Sequence, residues 1–185
     1  MGKPAFILAA LCAAAFSMPA HADITGTIDA TITLTTACRI NNAVVPDTTT
    51  GVDFGTIDFG TQNSYFTTAD AQLVGTVGNG IAIQCSDGIE PTIAFSGGSF
   101  AGLGSSNTGT TGARAMKHTA DANYVTYNLY EDVAGGTAIP VDGTIVLASD
   151  GSVQTVPIFG RAFGANSLVT GTYSDVVVVT VSFNP

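Results

Sequence analysis

Residues 171–183 read Gly-Thr-Tyr-Ser-Asp-Val-Val-Val-Val-Thr-Val-Ser-Phe. The odd positions Tyr173, Asp175, Val177, Val179, Val181 and Phe183 share one face of a strand, and Val176 and Val178 make the opposite face apolar at its middle. A strand apolar on both faces is normally central in a sheet, which predicts a neighbour on each side. Only Asn184 and Pro185 follow in the sequence, so no later strand supplies the second neighbour.

The opposite end of the sequence carries a matching pattern. From Asp23 to Thr35 the residues alternate without a break. Ile24, Gly26, Ile28, Ala30, Ile32 and Leu34 form an apolar face, and Asp23, Thr25, Thr27, Asp29, Thr31, Thr33 and Thr35 a polar one. A segment with this two-residue period lies over a groove with its back to solvent. The 11 residues from Ile24 to Leu34 would extend over about 36 Å at about 3.3 Å per residue. The periodicity is equally that of the first strand of a complete sandwich and that of a strand lent to a neighbouring molecule. It does not decide between pairing in cis and in trans.

Composition excludes several classes. Of 185 residues, 45 % are hydrophobic and only 10 % charged, against roughly 25 % charged in an ordinary soluble domain. Acidic residues outnumber basic ones 14 to 5, a formal charge of −9. Such a chain lacks the basic footprint that a phosphate backbone requires, which argues against nucleic-acid binding. High apolar content with low charge density argues against disorder, and no charged heptad pattern suggests a coiled coil.

Residues 1–22 read as a secretory signal peptide. Lys3 gives a short basic start, Ala5–Phe16 an apolar stretch, and Ala20-His21-Ala22 a small-residue cleavage site. The stretch is short for a membrane span, and no other run reaches the ~20 apolar residues one needs. Cys12 leaves with the signal, so Cys38 and Cys85 remain and in an exported chain most simply form one disulfide.

The remainder shows strand signals nearly throughout and no capped helical pattern. Short runs rich in Thr, Val, Ile, Tyr and Phe occur at Ala37–Val45, Val52–Phe59, Leu73–Cys85, Pro91–Phe95, Tyr124–Glu131, Thr144–Leu147, Ser152–Phe159 and Thr172–Phe183, punctuated by Gly, Asn and Asp. This predicts an all-β sandwich or barrel. Gly97–Gly112 reads as a Gly/Ser/Thr-rich surface loop, with Phe100 and Leu103 as the residues able to tuck it down.

Several segments, in order, resemble the spore coat protein U family, which includes pilin subunits of archaic chaperone–usher pili. They are the alternating N-terminus leading to Thr36-Ala37-Cys38; Phe54-Gly55-Thr56-Ile57-Asp58-Phe59-Gly60; Ile81-Ala82-Ile83-Gln84-Cys85; Tyr127-Asn128-Leu129-Tyr130; Val156-Pro157-Ile158-Phe159-Gly160; and Gly171-Thr172-Tyr173-Ser174-Asp175 running into the closing valines. The resemblance implies an incomplete immunoglobulin-like sandwich lacking its seventh, G, strand. A periplasmic chaperone would fill the gap first. At an outer-membrane usher, the N-terminal strand of a neighbouring copy or related pilin would replace it. Transferred to this sequence, 1–22 is the signal peptide, 23–35 the donor strand and 36–185 the pilin domain. Ile24, Ile28, Ala30, Ile32 and Leu34 would be the donor residues. Val177, Val179, Val181 and Phe183 would line the acceptor groove, and Cys38 and Cys85 would form the intradomain disulfide. The chain would be exported to the periplasm and then incorporated in a surface fibre serving adhesion and biofilm formation, without a cofactor.

Other chemistry finds little support in the residues. His118 beside Lys117 is the one histidine after the signal peptide and reads as a surface residue. No GxSxG elbow and no HxxxH or HxxE zinc pair is present. Glu90, Glu131 and Asp132 are the carboxylates available for glycoside chemistry, and each reads as a turn or strand-end residue. Ser86-Asp87-Gly88, Val141-Asp142-Gly143 and Ser149-Asp150-Gly151 resemble fragments of a calcium loop but lack its alternating ligands and distant Glu, so they read as turns. The expectation is therefore a structural subunit and not an enzyme, with no metal. A secreted carbohydrate- or surface-binding β-sandwich and a spore-coat protein are the alternatives.

Overall fold

The computed structural model describes residues 24–46, 48–104 and 114–184. The signal peptide expected over 1–22 and half of the Gly/Ser/Thr-rich stretch, residues 105–112, lie outside the described residues. The chain divides into two units, residues 1–34 and residues 35–185.

Among the described residues the secondary structure is entirely β, with no helix. The strands begin with β1 (Cys38–Ile40), β2 (Ala43–Val45), β3 (Thr56–Ile57), β4 (Thr68–Gly75) and β5 (Gly78–Asn79). They continue with β6 (Ile81–Cys85), β7 (Glu90–Phe95), β8 (Arg114–His118), β9 (Tyr124–Tyr130) and β10 (Ala138–Ile139). The last five are β11 (Gly143–Val146), β12 (Gln154–Val156), β13 (Phe159–Phe163), β14 (Tyr173–Ser174) and β15 (Val179–Asn184). They form three antiparallel sheets. One runs β12-β6-β1-β2, a second β14-β8-β9-β13-β4-β3 with β10 on β9 and β5 on β4, and a third β11-β7-β15. Inward residues of all three meet in one core, with Ile81 and Ile83 from β6, Ile93 and Phe95 from β7, and Val125, Tyr127 and Leu129 from β9. The expected sandwich is thus formed by alternating apolar positions that close over a shared interior.

Local chemistry explains where the chain turns. The run 37–45 is a two-residue hairpin, because Asn41 and Asn42 both adopt positive φ, 48° and 67°, the backbone of the tight turn that matches strand twist. Asn41 also accepts the Ala82 N–H through its side-chain oxygen at 3.1 Å, tying the hairpin to β6. Cys38 stands directly opposite Cys85 in the β1–β6 ladder, and the two form a disulfide with 4.0 Å between their Cα atoms.

Three expectations differ from the structure of the single chain. First, 24–34 belongs to no strand, because alternation gives a segment two faces but supplies no backbone partner. Second, the run 172–183 is not one central strand. It breaks at 175–178 into β14, which pairs β8, and β15, which pairs β7 and stands at the end of its sheet. The outer apolar positions Val176 and Val178 are 69 % and 61 % exposed, because none of the described residues covers that face. Third, β8, β10, the first five residues of β4 and all but the first residue of β13 lie outside the expected runs. Arg114, Lys117, His118 and Arg161 interrupt the β-branched pattern there, yet the backbone pairs normally.

The disulfide closes a separation of 47 residues, which on the chain-entropy relation stabilises the fold by about 4 kcal/mol. Replacing Cys38 and Cys85 together by Ala is expected to remove about that much, read as the free energy of guanidinium unfolding. A loss under about 1 kcal/mol would contradict the assignment.

Candidate functional site

A cleft of about 950 Å3 opens along β15 within the unit 35–185. Val177, Val179, Val181 and Phe183 line one wall. Phe54, Ile57 and Phe59 line the facing wall, and Ile81, Phe95, Tyr127, Leu129 and Ile158 lie beneath. Both walls alternate. Val177, Val179, Val181 and Phe183 are half-buried while Val176, Val178, Thr180 and Ser182 are exposed. On the other side Val52, Phe54, Ile57 and Phe59 are half-buried while Asp53, Thr56 and Asp58 are exposed. The change of parity after Phe54 falls at Gly55, whose φ is +118° and where a Cβ would meet the Val74 carbonyl. Only glycine fits there.

The backbone along β15 is as informative as its side chains. Ser96 N–H donates to the Val178 carbonyl at 3.0 Å, and the register sets Thr180 opposite Ala94 and Ser182 opposite Thr92. The Phe95 and Pro91 carbonyls instead accept from Asp142 and Leu147 on the other side of β7. Even-numbered residues of β15 therefore bond to β7. Peptide groups alternate sides along a strand, so the N–H and C=O groups of Val179, Val181 and Phe183 point to the edge that pairs with no strand among the described residues. The residues that line the cleft are the same ones that present this edge.

One end of the cleft is polar. Asp175 accepts a hydrogen bond from the Tyr127 hydroxyl at 2.8 Å and from the Ser99 N–H at 2.8 Å. Burial, followed by the hydrogen bond to Asp175 and its negative charge, pushes the Tyr127 hydroxyl well above the usual tyrosine range. Behind this pair lies Arg114, fully buried. Its guanidinium donates to the carbonyls of Ser96 at 2.8 Å, Ile139 at 2.9 Å, Phe95 at 3.2 Å and Pro140 at 3.0 Å. Burial lowers its pKa, while Tyr127, Asp175 and Asp142 oppose that shift. Four carbonyl dipoles and two nearby carboxylates offset the cost of a charge removed from water.

His118 is buried, which corrects its expected place on the surface. Its ring stacks edge-on against Tyr173 at 5.1 Å between centroids. Its Nδ1 lies 3.3 and 3.0 Å from the Ala120 and Asp121 amides and 3.2 Å from the Asp121 carboxylate, and its Nε2 lies 3.3 Å from the Thr170 carbonyl. Gly171, with φ +150°, sits where a Cβ would collide with that ring. Arg114, Met116 and His118 alternate onto the inward face of β8. Neither buried cation-forming side chain was legible, since the sequence around them has no run of branched apolar residues.

The candidate chemical residues hold turns. The Asp132 carboxylate accepts from the amides of Val133 and Thr137, and Gly88 and Gly151 take positive φ in the Asp-Gly turns. Among the described residues no three His, Cys, Asp or Glu side chains gather as a metal site. Phe100 packs against Tyr124 with ring centroids 5.9 Å apart, whereas Leu103 remains exposed. In the N-terminal unit, Ile24, Ile28, Ile32 and Leu34 are 83–98 % exposed, and Ala30 is exposed as well.

Residues 24–180 match the Spore Coat Protein U domain. The chain belongs to that family. It is similar to Protein U of Myxococcus xanthus, at 28 % identity over 189 residues, covering 97 % of this chain and 96 % of that one. A further likeness is to a solved structure, the chaperone–tip adhesion subunit pre-assembly complex from the archaic chaperone-usher Csu pili of Acinetobacter baumannii. There the TM-score is 0.46 at 17 % identity, over 82 % of this chain and 41 % of that one.

In this family member five of the six segments that carried the resemblance contribute to the cleft, all but the N-terminal one. FGTIDFG forms the far wall, Ile81 and Ile158 lie beneath, and GTYSD is the corner from which the valine wall departs. That corner titrates. Because the folded state keeps Tyr127 protonated above its unfolded pKa of about 10, the unfolded chain binds fewer protons there and stability falls as pH rises past that value. Tyr127→Phe is expected to make the alkaline decline shallower, measured as chemical-denaturation midpoints from pH 8 to 11.5. An unchanged slope would contradict the assignment.

Proposed function

We propose that this chain is a structural subunit of a surface fibre, built by donation of residues 24–34 from one copy into the cleft of the next. The observation that carries the reading is the unpaired edge of β15, whose exposed peptide groups belong to the residues whose side chains line an apolar cleft. The occupant must bring a row of peptide groups and an apolar side chain at every second residue. Residues 24–34 have that form, and their apolar face is exposed.

Side chains at directly opposed positions of neighbouring strands point to the same face. Ile24, Ile28, Ala30, Ile32 and Leu34 would thus stand opposite odd residues of β15, between them and the Phe54–Phe59 wall, as donor residues to an acceptor groove formed by Val177, Val179, Val181 and Phe183. Four large side chains at about 1.5–3 kcal/mol each contribute on the order of 10 kcal/mol before ordering costs, and ladder bonds fix direction. An empty cleft with an open edge invites aggregation. That favours a periplasmic chaperone holding the edge until an outer-membrane usher exchanges it for the next subunit. The match to the Spore Coat Protein U domain supports a structural role, without turnover. Adhesion and biofilm formation are the expected service of such a fibre.

The test uses the full chain purified under oxidising conditions. Ile28→Asp with Ile32→Asp is expected to leave the thermal midpoint of the monomer nearly unchanged and to abolish fibres by electron microscopy, since these side chains are almost fully exposed before assembly. Fibres of normal length from the double variant would overturn the proposal.

A further inference from the structure

The last strand leaves one sheet at Ser174 and joins another at Val179. Between them it is held at few points. Asp175 is bound by Tyr127 and Ser99. Val178 is bound twice by one residue: its carbonyl accepts from the Ser96 N–H at 3.0 Å, and its own N–H donates to the Ser96 hydroxyl at 2.9 Å. Ser96 lies just past the end of β7, beyond its ladder with β15, and its carbonyl is in turn the acceptor for Arg114 Nε at 2.8 Å. Arg114 grips Phe95 on one side and Ile139 and Pro140 on the other. A continuous hydrogen-bonded path therefore runs from a buried guanidinium through Ser96 to Val178, between the first two valines of the cleft wall.

Resting on the fibre reading above, we propose that Arg114, acting through Ser96, is a positioning residue that sets where the acceptor edge begins and so governs how tightly the incoming strand is held. Val177 and Val179 flank the bound residue, and their peptide groups face the edge. If Val178 slides or twists, both lose alignment with an incoming ladder while the core beneath remains filled. The planar, five-donor guanidinium suits four diverging carbonyls, and a lysine ammonium with three donors does not. The hydroxyl of Ser96 does a separate job: it gives the Val178 N–H an acceptor at a place where regular pairing has not yet begun.

The experiment titrates a fluorescent peptide of residues 24–34 into the full chain, kept dilute enough to remain monomeric, and records dissociation rates by anisotropy. Thermal unfolding without peptide is recorded in parallel. Ser96→Ala is expected to speed peptide dissociation about fivefold, the scale of one net hydrogen bond, and to lower the unfolding midpoint by no more than about 2–4 °C. Ser96→Thr, which keeps the hydroxyl, is expected to restore the wild-type rate. Arg114→Lys is expected to speed dissociation further, and adding Ser96→Ala to it to have less than its separate effect, because both act on one path. Wild-type dissociation from Ser96→Ala overturns the positioning role, as does equal acceleration by Ser96→Ala and Ser96→Thr. Failure of the wild-type chain to bind the peptide at all overturns the fibre reading, and this inference with it.

Discussion

A strand edge left unpaired among the described residues governs this structure. Val179, Val181 and Phe183 each direct a side chain into the cleft and a peptide group toward an edge that pairs with no strand among the described residues. A buried backbone amide without a partner is costly, so such an edge persists only while it is wet. The half-buried state of these residues is the signature of that compromise. A strand laid along the edge would satisfy the peptide groups and cover the valines together, which is why one kind of ligand meets both demands.

The polar elements make sense around that edge. An apolar cleft with a loose margin would collapse, yet here its walls are pinned from behind. Arg114 ties β7 to the approach to β11 through four carbonyls. Asp175 and Tyr127 fix the corner, and His118 stacks on Tyr173 just before it. The Cys38–Cys85 bond secures β1, the first strand after the N-terminal segment. In a fibre joined by residues 24–34, tension would enter the domain at that strand.

What the sequence disclosed follows from which forces are periodic. Alternation in 24–34 is a property of a single segment, so its apolar face opposite Thr25–Thr33 could be read directly, whereas the wall of Val177, Val179, Val181 and Phe183 was implied by the family resemblance and not by the periodicity. The all-β class followed from β-branched runs, and the disulfide from two remaining cysteines. The role of β15 as a terminal strand was not readable from its two apolar faces, because coverage of Val176 and Val178 depends on neighbours that a local pattern does not name. Arg114 and His118 were hidden for a related reason. A polar residue is buried when distant carbonyls converge on it, and those of Phe95, Ser96, Ile139 and Pro140 come from two stretches well removed from residue 114 in sequence.

The central claim is that residues 24–34 of one copy occupy the cleft of another. A photo-cross-linking amino acid placed at Ile32, in an equal mixture of isotopically heavy and light full chains, addresses it most directly. Illumination followed by digestion and mass spectrometry is expected to join residue 32 to peptides spanning 177–183, with mixed heavy–light products making up about half of the cross-links. Cross-links confined to single chains, or to surfaces away from β15 and the Phe54–Phe59 wall, would contradict the account.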